Sequence, residues 1–460
     1  MDWLLELNDV VNEIVWGPPI LILIVGSGIF LTVAIGFKSF TKLGYVFKET
    51  LGKIFTKGDT GEGEVTPFQA VSTALAATAG TGNIAGVATA ITIGGPGAVF
   101  WMWVSALFGM ATKYAEVLLS VEYREKTEDS RYVGGPMYYI EKGTKWNLKW
   151  LAILFAVFGS LAAFGIGNMT QSNSVADVLN TTFNIDPLVS GIVMAVVVAL
   201  VTIGGIRSIG RVTEWLVPFM AVFYIIGGLF IILINIDLLF PAIRFIFEDA
   251  FTGSAAVGGF TGSTFAMAIQ YGIARGVFTN EAGLGSAPIA HAAAKTDHPV
   301  RQALWGIFEV FGDTLFIATI TSLVIVMTGV WNTGIDGAPL TTAAFEQGIP
   351  YGGYIVTLGL MLFAFSTILG WSYYGERCIE YLFGQKMTIL YRIVFIALIV
   401  VGAIGGLTEI WALADTLNGL MIIPNMIAVL ILSPVVIRKT KEYFGKGGIY
   451  EREKKEKANN

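Results

Sequence analysis

The chain has 460 residues, 54% hydrophobic and only 14% charged, with a mean hydropathy of +0.69. Soluble domains carry about 25% charged residues, and recurring apolar runs of about 20 residues mean membrane spans, so a soluble domain is excluded. The net charge of −5 decides little, whereas one cysteine (Cys378) and two histidines (His291, His298) exclude an internal disulfide framework and leave scant material for a cysteine or histidine metal centre.

In chain order, hydropathy predicts eleven spans, at 15–37, 66–93, 98–121, 150–179, 187–205, 213–236, 256–292, 301–330, 352–383, 388–408 and 411–437. Residues 1–13 are acidic (Asp2, Glu6, Asp9, Glu13), and the span after them is too long for the apolar core of a cleavable signal. Loop 38–65 contains an amphipathic stretch, with Phe40, Leu43, Phe47, Leu51 and Ile54 between Lys38, Lys42, Lys48 and Lys53. That pattern suits a helix on the anionic cytoplasmic leaflet, and equally a helix packed on other loops. Loops 38–65, 122–149, 206–212, 293–300 and 384–387 and the C-terminal tail hold almost every Lys and Arg, while the opposite side has Arg244. The positive-inside rule therefore predicts a multi-pass plasma-membrane protein with its N-terminus outside and its C-terminus in the cytoplasm.

Without the first span, ten remain, in two sets of five that enter the membrane from opposite sides. The predicted fold class is an all-α polytopic membrane protein with a leucine-transporter-type 5+5 inverted repeat and one extra N-terminal span. Its parts are 1–65 (span and amphipathic loop), 66–236 (first repeat), 237–437 (inverted repeat) and 438–460 (charged cytoplasmic tail). Pattern carries this expectation, since the two halves share no evident residue-level identity. Both repeats open on a Gly-rich broken span, and paired breaks of that kind mark a transporter's binding site.

The first break reads Ala79-Gly80-Thr81-Gly82-Asn83-Ile84-Ala85-Gly86. Amides around Gly80, Gly82 and Asn83 can approach a small carboxylate, and the following half-helix aims its positive end there. Carbonyls at Ala76 and Ala79 offer themselves to a cation, and Thr78, Thr81 and Asn83 add side-chain oxygens. The plainer reading is close helix packing through small residues. In the second broken span Gly272, Gly276, Gly283 and Gly285 free the backbone, and Ile273 and Phe278 wall a small apolar pocket. A straight helix over 256–292 would be about 55 Å long, against a hydrocarbon core of about 30 Å, so a bend, tilt or surface run is required. Arg275 and Glu281 are expected to pair with each other or with Glu309 and Asp313, as a structural network rather than an ion path. Span 352–383 brings Ser366, Thr367 and Trp371. The two hydroxyls and the Phe363 carbonyl, with Ala76 and Ala79, would make an oxygen cage for Na⁺, although membrane hydroxyls most often bond back to their own helix. Trp371 limits pocket size. Gln171 in span 150–179 is expected to donate its amide NH₂ to substrate oxygen, against an interhelical hydrogen bond as the plain reading.

The stretch from Gly94-Gly95-Pro96-Gly97 to Phe108-Gly109 resembles the signature of the sodium:alanine/glycine symporters. So do Thr66-Pro67-Phe68-Gln69-Ala70, Gly80-Thr81-Gly82-Asn83-Ile84-Ala85-Gly86-Val87 and Phe278-Thr279-Asn280-Glu281-Ala282-Gly283-Leu284-Gly285-Ser286-Ala287-Pro288. The resemblance runs from about residue 15 to 437. It implies a secondary transporter that takes up alanine or glycine with Na⁺ as coupling ion, embedded in the lipid bilayer, with no organic cofactor, no nucleic-acid partner and no enzymatic activity. The alternative is a proton-coupled carrier of the same fold using Glu309 or Asp313. A channel is disfavoured because no continuous polar lining or ring of like charges is evident.

Overall fold

The computed structural model describes residues 2–54, 61–252, 265–405 and 408–459. Residues 256–264 of the expected span 256–292 and residues 406–407 of the expected span 388–408 lie outside them. Helices dominate, with one two-residue hairpin, β1 (Glu125–Lys126) against β2 (Tyr132–Val133).

The N-terminal pair is α1 (Asp2–Val15) and α2 (Pro18–Ala34), divided at Gly17 where Pro18 and Pro19 open the second helix. The amphipathic loop folds as α3 (Lys38–Thr41) and α4 (Leu43–Glu49). The first broken span is two helices, α5 (Pro67–Thr78) and α6 (Ala85–Gly94), followed by α7 (Ala98–Glu122) and the short α8 (Pro136–Gly143). Next come α9 (Lys149–Phe164) and α10 (Thr170–Phe183), joined through a π-helical segment, then α11 (Pro187–Thr202), α12 (Gly205–Ile234) and α13 (Ile236–Thr252). The second half has α14 (Phe265–Asn280), the single turn α15 (Pro288–His291), then α16 (Pro299–Val310) and α17 (Thr319–Thr328) joined through π-helical Phe311–Ala318. It closes with α18 (Gly337–Gly348), α19 (Gly353–Phe383), α20 (Met387–Ile404), α21 (Thr408–Leu420), α22 (Ile422–Ile431), α23 (Ser433–Phe444) and α24 (Ile449–Asn459).

Among the described residues eight helical stretches are long and apolar enough to cross a membrane. The protein is thus a mostly helical, polytopic membrane protein. Two expected spans, 66–93 and 256–292, fall on interrupted helices, and 187–205 falls on the 16-residue α11. Along α11 and α12, Ile192, Val193, Val196 and Leu200, then Phe219, Val222, Ile226 and Leu233, stand exposed at helical spacing. A contiguous apolar face of that kind belongs against acyl chains.

Inside, α7, α9, α16 and α19 share the largest apolar core, and a second core surrounds the first break with α12, α17 and α18. The amphipathic loop packs on protein. Phe47 meets Phe308 and Phe311 at ring centroids 6.3 and 5.0 Å away, and the Tyr45 and Tyr443 hydroxyls bond at 2.8 Å.

Candidate functional site

The first break is real and local. Thr66 and Gln69 form a reciprocal capping box that starts α5. The helix stops at Ala79 (ψ 81), Gly80 is extended (φ −125, ψ −153), and Thr81–Asn83 form one 3-10 turn before α6. The N–H groups of Thr81 and Gly82 open that turn, where no intrahelical carbonyl precedes them. Gly80 permits close approach, because a Cβ there would sit 2.5 Å from Thr367 Oγ1 on α19.

The second break lies later than the glycines suggest. Helix α14 runs unbroken through Gly272 and Gly276 and ends at Asn280. Both glycines face α7: a Cβ on Gly272 would collide with the Ala98 carbonyl, and one on Gly276 with Ser105 Oγ. Chain 281–287 is the non-helical stretch, with Glu281 at φ 55 and Gly283 and Gly285 at φ 99 and 81. Glu116 of α7 fixes it, accepting from the Gly283 N–H at 3.0 Å and from Asn425 Nδ2 at 2.5 Å.

The two breaks, the π-segment before α10, α19 and α21 line a small cavity that is partly open to solvent. Its lining brings together Thr78, Gly80, Thr81, Gly82, Gln171, Phe278, Thr367 and Trp371 with Ala77, Ile166, Glu281 and Asn418. Asn83, Ile273 and Gly276 lie off it. Asn83 turns its NH₂ to Asp313, at 2.8 Å from Oδ1 and 3.2 Å from the carbonyl. Ile273 joins Trp16, Leu21 and Ile24 in a third apolar cluster, and Gly276 is the close contact with α7 just described.

Gln171 makes the interhelical hydrogen bond of the plain reading. Its NH₂ donates to the Ile166 carbonyl (2.9 Å) and to Thr81 Oγ1 (3.3 Å), which leaves Oε1 buried without a partner. The side chain therefore offers an acceptor to the cavity. Trp371 is held in place because Gly167 lets it lie flat against the π-segment.

At the expected cation cage, the Ser366 and Thr367 hydroxyls bond to carbonyls of their own helix and of α5. Ser366 Oγ donates to the carbonyls of Ala76 (3.1 Å) and Phe363 (2.8 Å). Thr367 Oγ1 donates to Phe363 (2.9 Å) and Ala77 (3.5 Å), so Ala77 stands where Ala79 was expected. Gly370 lets α19 press on α5, since its Cβ would lie 2.7 Å from Ala77 Cβ. This is a set of neutral hard oxygens that rotation of two hydroxyls would free for a monovalent ion. Among the described residues no group of three or more His, Cys, Asp or Glu side chains is arranged to hold a metal.

The expected pairing within Arg275, Glu281, Glu309 and Asp313 does not form. Arg275 lies over the Phe278 ring, 5.6 Å from its centroid, and the Ser286 hydroxyl donates to Glu281. Fully buried Glu309 pairs with Lys113 of α7 at 3.2 Å and with His291 Nε2 at 3.1 Å. The Gln302 amide lies 2.7 Å from His291 Nδ1. Asp313 has neutral partners, Asn83 and the Thr314 hydroxyl. Sequence reasoning missed Ala77, Ile166 and Asn418 and read Glu281 as structural. Only the polarity of Asn418 and Glu281 inside apolar segments signalled them.

Comparison with known proteins gives the family. Residues 1–458 match the model of the sodium:alanine symporter family, a family of transporters. The sodium/alanine symporter AgcS of Methanococcus maripaludis is 53% identical over 95% of this chain and 97% of its own length. A putative sodium/proton-dependent alanine carrier of Bacillus subtilis is 37% identical over 97% of this chain and 92% of its own. Among solved structures, the fold is similar to that of a manganese transporter from Eremococcus coleocola, with a TM-score of 0.51 and 14% identity over 81% of this chain and 82% of that one.

Proposed function

Because the chain belongs to the sodium:alanine symporter family, we propose that it imports small neutral amino acids, alanine and glycine, across the plasma membrane by sodium-coupled alternating access. The observation that carries this reading is the small cavity at the unwound first break, with backbone donors at one end and a hydroxyl–carbonyl oxygen set directly behind it. A zwitterion with a tiny side chain needs N–H donors for its carboxylate, acceptors for its ammonium and a tight wall. Thr81 and Gly82 supply the first, and Phe278 and Trp371 the last. Sodium, taken between Ala76, Phe363, Ser366 and Thr367, would tie α5 to α19 while the substrate ties α5 to α10 and α14. By linkage, alanine then tightens sodium binding by the same factor that sodium tightens alanine.

In this reading residues 66–236 and 237–437 are inverted repeats, and the spans number eleven with the N-terminus outside. Rocking of one bundle on the other opens the cavity alternately to each side. Uptake of alanine into proteoliposomes under a sodium gradient, then under a proton gradient alone, tests it. Sodium-driven uptake is expected, and equal uptake driven by protons without sodium overturns it. That second outcome would favour a proton-coupled carrier, for which buried Asp313, with only neutral partners, is the carrier group.

A further inference from the structure

We infer that Glu281 receives the substrate's ammonium group, with the amide oxygens of Gln171 and Asn418 completing its acceptors. The inference rests on the cavity being the amino-acid site.

Glu281 lines the cavity, is 3% exposed, and follows directly on the last residue of α14 with its backbone at φ 55. Non-glycine residues in that left-handed region are uncommon and collect at functional sites. Its charge is also poorly placed for structure alone. A carboxylate at a helix C-terminus faces the negative end of the helix dipole, and at membrane depth an ionised group needs a partner. Ser286 supplies one hydroxyl to Oε2, and among the described residues no hydrogen bond reaches Oε1 and no ion pair includes Glu281. The basic side chains nearby are committed elsewhere: Lys113 to Glu309, and Arg275 to the face of Phe278. When ionised, Glu281 thus has a free Oε1 to offer a cationic ligand that enters the cavity.

The rest of the wall says which cation. An ammonium has three donors and no acceptor. Beside Glu281, the cavity is lined by Gln171 and Asn418, whose Oε1 and Oδ1 are buried without any partner. Three acceptors with free capacity match three N–H groups. The oxygens that would hold sodium are instead gathered at Ser366 and Thr367, whose hydroxyls already donate to backbone carbonyls.

The test uses the full-length protein in proteoliposomes. Wild-type sodium-driven alanine uptake checks the functional reading first, independently of Glu281. Glu281→Gln is then expected to raise the alanine concentration for half-maximal uptake at least about tenfold, with the sodium requirement at saturating alanine unchanged. Glu281→Asp should recover part of that loss. Propanoate, which keeps the methyl and carboxylate of alanine without the ammonium, should compete poorly in the wild type, and Glu281→Gln should narrow its disadvantage against alanine. An unchanged alanine requirement in Glu281→Gln overturns the inference, as does a raised sodium requirement with alanine unaffected, which would make Glu281 a sodium ligand. If neither variant folds, Ser286→Ala, which releases the carboxylate from its hydroxyl, takes their place with the same readouts.

Discussion

Glycine does two different jobs in these spans, and the space beside each Cα separates them. At Gly370 a Cβ would lie 2.7 Å from Ala77 Cβ and 2.9 Å from Ala77 N, so backbone would have to move. Gly370→Ala is expected to push α19 off α5 and raise the sodium concentration for half-maximal uptake about tenfold or more while the protein still folds. Gly312, with nothing within 4 Å of a Cβ, is the control. Gly312→Ala should leave uptake intact and add up to about 1 kcal/mol of helix stability. Thr367→Ala removes an oxygen of the proposed sodium site and should weaken sodium dependence, and unchanged sodium dependence would take Thr367 out of that proposal. Glycine-rich spans also explain what sequence could and could not convey. Gly80 and Gly82 mark a true break, whereas Gly272 and Gly276 carry the same signature inside an intact helix and serve contact with α7. Only the neighbour decides, and the neighbour is set by tertiary packing. Gln171 is the same case. Its position at the cavity follows from polarity in an apolar span, but which amide atom remains free depends on the Ile166 and Thr81 oxygens.

Between elements, buried charge is the stiffest joint. Lys113 and Glu309, both fully buried, clamp α7 to α16, and His291 adds α15. Lys113→Met would strand a carboxylate and should cost about 3–5 kcal/mol, read as a lowered midpoint in thermal unfolding. The double variant Lys113→Met, Glu309→Leu should recover most of that loss, since replacing both members of a buried pair by apolar groups is often neutral. Nothing in sequence pairs residues 196 apart, and the π-helical segments were equally hidden because they share the composition of α-helix. The start of α16 was more legible, with His298 before Pro299. There His298 Nδ1 accepts from the Val300 N–H at 3.2 Å, and burial holds its pKa below the ordinary 6.5. A base depressed in the folded state contributes stability above its unfolded pKa and loses it as pH falls through the folded value. Acidification below the ordinary value of about 6.5 should therefore cost stability, up to the roughly 1 kcal/mol of the cap once the ring is charged. His298→Asn, which caps without titrating, should flatten that part of the pH profile of thermal stability.

At the scale of the whole molecule, the loops that charge bias assigned to one side do meet at one end of the fold. Glu62 and Val65 bridge to Thr296 and Ala294, and Arg124 donates to the carbonyls of Glu62, Ala292 and Ala294. Arg131 pairs with Glu380 at 2.7 Å, Lys439 with Glu122 at 3.0 Å, and Arg301 with Glu453 of the tail. In that same cluster Arg131 and Thr127 hold Asp129 down to a pKa of about 2, so its pairing persists across physiological pH. At the other end the charges thin out: Asn12 of α1 bonds Asp415 at 3.2 Å and Thr416 at 2.9 Å, and Trp16 lies tilted against Phe278, ring centroids 6.3 Å apart. Contacts within one end cannot by themselves say which end faces the cytoplasm; the positive-inside rule does, and it predicts the Lys/Arg-rich end. The native chain suits a labelling test because Cys378, its one cysteine, is buried. Glu128→Cys would place an exposed thiol in the hairpin of the basic end, and Thr333→Cys one in the loop between α17 and α18. A membrane-impermeant maleimide added to intact cells should label Thr333→Cys and spare Glu128→Cys until the cells are permeabilised. Labelling in the reverse order would invert the orientation, and with it the side from which alanine and sodium enter.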